Sequence, residues 1–158
     1  MISFEMAQGR FNYRVAGVCI EDGHILLQTF ANSLYWILPG GRPELSESSD
    51  VALKREMREE LAVDVQLERL LWVVESFFLR STGRPFHEIA MYYLMALPAE
   101  STLHDKTQTV TGKDGESIFT LKWFPLPELA DMLLFPPFLR TRLTQLPLTV
   151  EHLIEEER

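Results

Sequence analysis

A single cysteine in 158 residues leaves this chain without a disulfide framework and without a thiolate zinc site. That residue, Cys19, lies in the apolar run from Val15 to Ile20 and reads as a small core side chain, compatible with a reducing compartment. Positive charge is scarce as well, with 15 Lys and Arg against 23 Asp and Glu, a formal net charge of −8. Contacts to nucleic-acid backbones need clustered basic residues, so no nucleic-acid partner is expected, and an anionic substrate would need a cation brought from outside. No stretch approaches the roughly 18 apolar residues of a membrane helix, and the opening residues lack a basic-then-apolar signal pattern. The expectation is therefore a soluble cytoplasmic protein with no membrane partner. Internal repeats and low-complexity segments are absent too. What remains is 46% hydrophobic, enough for one domain over residues 1–158 that buries about 68–70% of its unfolded surface.

The chain alternates strand signals with few helix signals. Phe11 to Ile20 is rich in Val, Ile and aromatic residues, Glu21-Asp22-Gly23 marks a turn, and His24 to Phe30 is a second strand-like run, so a hairpin is expected. Val63 to Arg80 predicts one long or bulged strand. Phe86 to Leu97 predicts a strand too continuously apolar for a solvated edge and hence buried on both faces. Between Pro98 and Gly115 the composition turns polar without periodicity, which predicts a mobile surface loop. Ser117 to Phe124 reads as a last strand and Pro125 to Leu134 as a short helix. The Pro136-Pro137 break precedes a C-terminal helical segment over about 136–158. Five or so strands with these helices predict an α/β fold, a mixed sheet covered by helices on both faces.

The chemistry concentrates between Pro39 and Val63. Pro39-Gly40-Gly41 stops a short apolar segment, and its glycines permit positive φ and close approach of the backbone to a ligand. Ser46, Ser48, Ser49 and Asp50 offer several N-caps for a helix running to about Leu61. At 3.6 residues per turn, Leu53, Met57 and Leu61 form an apolar stripe, and Lys54, Arg55 and Arg58 fall on the far side. Glu56, Glu59 and Glu60 gather beside the apolar edge, a like-charge arrangement that costs an isolated helix roughly 0.2–0.5 kcal/mol per pair. A cation would relieve it. The histidines His24, His87, His104 and His152 show no ligand spacing, and Tyr35, Trp36 and Phe78 could stack on a base, although aromatics in strand-like runs more often belong to the core.

Gly41, Glu47, Arg55-Glu56, Met57, Arg58, Glu59-Glu60, Leu61, Ala62 and Val63, led by Pro39-Gly40, resemble the box of the Nudix hydrolase family, of the MutT-like kind with the subclass unassigned. The resemblance extends over Phe11 to about Leu133 through Trp123-Phe124-Pro125-Leu126 and Glu128-Leu129. It implies the Nudix fold, an α/β/α sandwich, and hydrolysis of a diphosphate linkage in a nucleoside diphosphate joined to another moiety. It further implies Mg2+ or Mn2+ as cofactor, with Glu59 and Glu60 as principal ligands, Glu56 a ligand or general base, and the Gly40 carbonyl a further ligand. Glu116, just before the last predicted strand, stands where family members often supply another ligand or base. Arg42 would meet a substrate phosphate. Glu47 and Arg55 resemble the family's structural ion pair, which with Gly41 supports the site. One position departs: Ala62 stands where the box ends in glycine, and if left-handed backbone is needed there, alanine costs roughly 1–2 kcal/mol. Subclass markers for ADP-ribose, diadenosine polyphosphates and NADH do not fit, and an isomerase relative would need a catalytic cysteine where Cys19 does not lie. The alternative is a Nudix-like sensor that binds a nucleotide without hydrolysing it. Either form would act on a small molecule as a monomer or homodimer.

Overall fold

The chain switches from one sheet to another at Cys19, and that crossing lays out the rest of the architecture. The computed structural model describes residues 1–157. Its strands are β1 (Ser3–Met6), β2 (Gly9–Val18), β3 (Ile20–Glu21), β4 (His24–Phe30) and β5 (Gly40–Gly41), followed by helix α1 (Ser49–Leu61). Then come β6 (Gln66–Leu79), β7 (Pro85–Ala96), β8 (Val110–Asp114), β9 (Ser117–Pro125), the short helix α2 (Leu139–Arg142) and β10 (Glu151–Glu156). One sheet has the order β1-β2-β7-β6-β10, with β5 attached to β2, and the other has the order β3-β4-β9-β8. Strands β2 and β7 run parallel, as do β6 and β10, while β6 and β7 are antiparallel, so the larger sheet is mixed.

Side-chain alternation along the strands explains the layering. Ala16 and Val18 of β2 join Ile25 and Leu27 of β4 in one hydrophobic layer, with Leu129, Leu134, Phe138 and Leu139 packed over it. Val15 and Leu26 point the other way and meet Ala52, Leu53 and Met57 of α1. The two sheets thus share one β layer between α1 on one face and the α2 region on the other, an α/β sandwich. The expected apolar stripe of α1 is the one that docks. Leu53 and Met57 have no exposed surface, and burial of such a side chain contributes about 1.5–3 kcal/mol.

Several expectations change in the structure. The turn at Asp22-Gly23 forms, with both residues at positive φ, but only β3 pairs across it with β4. The longer β2 is drawn instead into parallel pairing with β7. Strand β7 lies centrally yet is fully buried on one face only, because α1 packs over β2, β5 and β8 and leaves its other face half covered. The 98–115 segment is not a featureless loop. Leu103 is buried, the Trp123 indole donates to the Leu103 carbonyl at 2.7 Å, His104 bonds Glu21 at 2.7 Å, and Val110–Asp114 pairs with β9. Residues Leu126–Asp131 form a 3-10 turn instead of an α-helix.

The expected C-terminal helix over 136–158 is absent from its described part, residue 158 lying outside the described residues. Only the four-residue α2 forms there, and β10 runs parallel to β6 with Glu151 beside Trp72 and Glu156 beside Phe77. The open edge of β6 supplies backbone partners for these six residues, which a helix would have left unpaired. No helix among the described residues is long and apolar enough to cross a membrane.

Candidate active site

The glycine-led loop and the end of α1 come together because Gly40 and Gly41 leave no room for a side chain. A Cβ on Gly40 would sit 2.1 Å from the Val15 carbonyl oxygen, and one on Gly41 would sit 2.2 Å from Cδ of Glu56. The expected positive φ is found at neither glycine. They are required here for close approach, since β5 lies flush on β2 while the Glu56 side chain lies across Gly41.

Helix α1 starts after Ser48, whose hydroxyl serves Asp50 and not the helix backbone. It ends on Ala62 at φ 54° and ψ 36°, the left-handed conformation the missing glycine would have adopted without strain. The Ala62 and Val63 amides donate back to the Arg58 and Met57 carbonyls at 3.0 and 3.4 Å, closing the helix. This closure fixes the last turn, which carries Glu59 and Glu60.

Arg55 is the hub of one half of the acid cluster. Its Nε and Nη2 donate to the two Glu47 carboxylate oxygens at 2.8 and 3.0 Å. Its Nη1 reaches Glu56 at 3.0 Å and Glu59 at 3.1 Å, and Nη2 also meets the Arg42 carbonyl at 3.0 Å. The expected Glu47–Arg55 brace is therefore present as a bidentate pair. Hydrogen bonds from the Arg55 guanidinium, then from the Glu44 amide, draw the Glu47 carboxyl down to about 2.

Glu60 belongs to a different environment. It accepts from the buried Gln28 amide at 3.5 Å and faces Asp114 at the end of β8. Burial, then the charges of Asp114 and Glu56, push its carboxyl up to about 8. Glu116 sits on the β8–β9 turn, exposed, and makes no hydrogen bond or ion pair with Glu56, Glu59 or Glu60 among the described residues. Asp114 is the acid that the sequence reading missed. The Asp114-Gly115 dipeptide, a hairpin-turn signal with Gly115 at φ 60°, marks where β8 stops and could have located it.

No group of three or more carboxylate, imidazole or thiolate side chains among the described residues is arranged to hold a metal outright. The donor chemistry nevertheless suits a hard divalent cation: carboxylate oxygens from Glu60, Asp114 and Glu56 repel one another, and that repulsion adds to burial in raising the proton affinity of Glu60. Arg55 neutralises the Glu47, Glu56 and Glu59 side of the cluster but does not reach Glu60.

Beyond Gly41, Arg42 is half-buried and lines a cavity of about 160 Å3 with Asn12, Arg14, Phe86, Glu88 and Phe135. Burial, then the neighbouring Arg10 and Arg14 charges, push its guanidinium below its ordinary value. A larger concavity of about 690 Å3, walled by Phe4, Phe11, Phe77 and Phe78, opens at the far end of the sheet. None of Glu56, Glu59, Glu60 or Asp114 lines it. The smaller cavity, which shares Arg42 with the glycine loop, is the one joined to the site. The histidines stand outside it: His24 bonds the Asp22 carbonyl, His104 bonds Glu21, His152 bonds Glu75, and His87 packs between Phe11 and Phe77. Cys19 is wholly buried, and that burial pushes its thiol up to about 12. Phe78 stacks on Phe86, and Trp36 meets Phe124 edge-on.

Comparison with known proteins gives a consistent outline. The family model of the NUDIX domain matches residues 11–144. A MutT-like protein of Streptomyces ambofaciens is 38% identical over 63 residues, which are 39% of this chain and 41% of that protein, so the match spans less than half of the curated relative. Among solved structures, a UDP-X diphosphatase superposes with a TM-score of 0.62 at 21% identity, covering 90% of this chain and 66% of that one. An ADP-ribose pyrophosphatase from Streptococcus suis 89-1591 superposes with a TM-score of 0.59 at 15% identity, covering 90% and 98%. At these identities the structural likeness concerns the fold.

Proposed function

Because the chain belongs to the Nudix family, we propose that it is a divalent-metal-dependent hydrolase cleaving the diphosphate linkage of a nucleoside diphosphate joined to another moiety. The observation that carries this reading is the acid cluster at the end of α1. Glu60, Asp114 and Glu56 crowd together there, and of these Arg55 meets Glu56 alone, beside a loop open to a cavity lined by two arginines. The structural neighbours, a UDP-X diphosphatase and an ADP-ribose pyrophosphatase, are of the same reaction class.

In this reading Glu60, Glu59 and Glu56 hold Mg2+ or Mn2+ with the Gly40 carbonyl, and Asp114 takes the supporting place expected of Glu116. When bound, the metal polarises the phosphoryl oxygens and activates water. The chain's own residues do the positioning. Arg55 holds the Glu56 and Glu59 carboxylates in fixed directions and, through Glu47 and the Arg42 carbonyl, ties them to the loop that receives the substrate. Arg42 and Arg14 attract the diphosphate toward that edge. Glu56, next to Gly41, is placed to take a proton from attacking water. The protein acts as one domain over residues 1–158, in the cytoplasm, on a small molecule, as a monomer or homodimer.

The test is a panel of nucleoside diphosphate sugars, dinucleotides, NADH, coenzyme A and oxidised nucleoside triphosphates, assayed with Mg2+ and Mn2+ in wild type and Glu60→Gln. Metal-dependent turnover that the variant loses supports the hydrolase, and undiminished turnover in the variant sinks the metal assignment. Nucleotide binding by calorimetry without any turnover would favour the non-hydrolysing sensor.

A further inference from the structure

The cavity next to Gly41 carries charges of opposite sign that do not meet. Neither Arg14 nor Arg42 forms an ion pair among the described residues, and neither does Glu88, although all three line the same space of about 160 Å3. Glu88 is 8% exposed, and its one hydrogen bond is from the Asn12 amide nitrogen at 2.6 Å. A carboxylate that deep ordinarily closes on an available guanidinium. Here the fold holds the two apart. Arg14 is tethered to the Leu38 carbonyl at 2.6 Å, and Asn12 fixes Glu88 from the adjacent strand. The Asn12 side-chain oxygen is itself buried without any partner. Exchanging the oxygen and nitrogen of that amide would set oxygen against carboxylate, so the orientation is determined by Glu88. The Glu88 carboxylate, held by Asn12 through one oxygen, therefore stands at a cavity lined by Phe86, Tyr92 and Phe135, with two guanidinium groups at the same space, while the unpartnered Asn12 oxygen is enclosed.

We propose that the Glu88 carboxylate, held in place by Asn12, determines specificity by reading two adjacent hydrogen-bond donors on a ring attached to the substrate's diphosphate, while Arg14 and Arg42 meet the anionic part. Phe86, Tyr92 and Phe135 line the space beside it. Such paired donors occur on the N1–H and N2–H2 edge of guanine and on the vicinal hydroxyls of a sugar. A site built to hydrogen-bond such groups discriminates strongly, because a ligand lacking them leaves buried acceptors unpaired. The proposal rests on the hydrolase reading for the diphosphate alone, and it is tested without turnover.

Calorimetry in EDTA compares GDP (both donor pairs), 2′-deoxy-GDP (base edge only), ADP (diol only) and dTDP (neither). Wild type is expected to bind GDP at least about tenfold more tightly than dTDP. Glu88→Gln is expected to erase that preference while holding dTDP within about twofold, and Arg14→Gln to weaken all four alike. Retained preference for 2′-deoxy-GDP assigns the donors to guanine, and retained preference for ADP assigns them to the diol. Equal binding of GDP and dTDP by wild type overturns the proposal, as does a uniform loss across the four in Glu88→Gln. The wild-type ranking decides if that variant fails to fold. Absence of turnover with Mg2+ beside an intact ranking would sink the hydrolase reading alone, and turnover beside a flat ranking would sink this proposal alone.

Discussion

The two halves of the acidic edge of α1 are held by opposite means. On the Arg55 side, Glu47, Glu56 and Glu59 share a guanidinium that touches all three, and the group is satisfied within the fold. On the Gln28 side, Glu60 and Asp114 face each other with an amide as the only uncharged donor toward Glu60 among the described residues, and burial raises the proton affinity of Glu60. The first half is held in fixed directions by the fold itself, and the second is left needing a cation. The difference teaches that acids one turn apart on one helix can have separate tasks, set by what faces them from other elements.

Substitutions sharpen that contrast in descending order of effect. Glu60→Gln should lower turnover at least about 100-fold, as loss of a group acting directly on the reacting centre does. It should also raise Tm in EDTA above pH 8, where Glu60 is charged and a neutral isostere removes its repulsion with Asp114 and Glu56. A lower Tm would mean that the Gln28 side is as self-sufficient as the other. Arg55→Ala should do the reverse, destabilising by about 2–3 kcal/mol in urea titrations, since it strips several carboxylates of their partner at once. Asp114→Asn should cost about tenfold in turnover while Glu116→Gln stays within about twofold, which steady-state assays separate.

Smaller still is the acid response of the brace. The Glu47 carboxyl lies at about 2 in the folded protein against an ordinary 4.5. Its contribution is thus complete above 4.5 and lost as pH falls from there toward 2. Urea midpoints across that window should fall less in Glu47→Gln than in wild type, and parallel slopes would break the assignment. Least of all, Ala62→Gly should add about 0.5–1 kcal/mol of stability by relieving left-handed alanine, part of the gain being offset by the freer unfolded chain. Activity should stay within a few-fold, so a large loss would show that the last turn depends on Ala62 itself.

The parts legible in the sequence were those whose partners lie close along the chain. The α1 span, its buried Leu53 and Met57 stripe and the Glu47–Arg55 brace all follow from spacing within one segment. So does the irregular β6, whose register shifts near Leu67 and Leu70 accommodate its mixed pattern. Asp114 escaped because the polar composition of residues 98–115 masks the hairpin signal at Asp114-Gly115, and only the pairing of β8 with β9 carries it to Glu60. The C-terminal segment escaped for a related reason. Glu151 to Glu156 alternates half-buried and exposed residues as an edge strand should, but its acidic composition disfavours strand, and only the free edge of β6 decides the matter. The glycines were assigned the right place and two causes, of which close approach of the backbone holds, toward Val15 and Glu56, and positive φ does not.

That constraint at Gly41 makes the position a mechanical dial on the site. A methyl group there has no route except through the Glu56 carboxyl group, whose Oε2 would lie 2.5 Å from it. Alanine would leave the loop backbone free to keep its shape and would shift one acid by a fraction of its own width, converting added bulk directly into misalignment. Larger side chains would turn the dial further without altering any charge. Gly41 therefore offers a way to detune the acid cluster by size alone, separating how much the chemistry depends on the exact aim of Glu56 from how much it depends on the presence of that group.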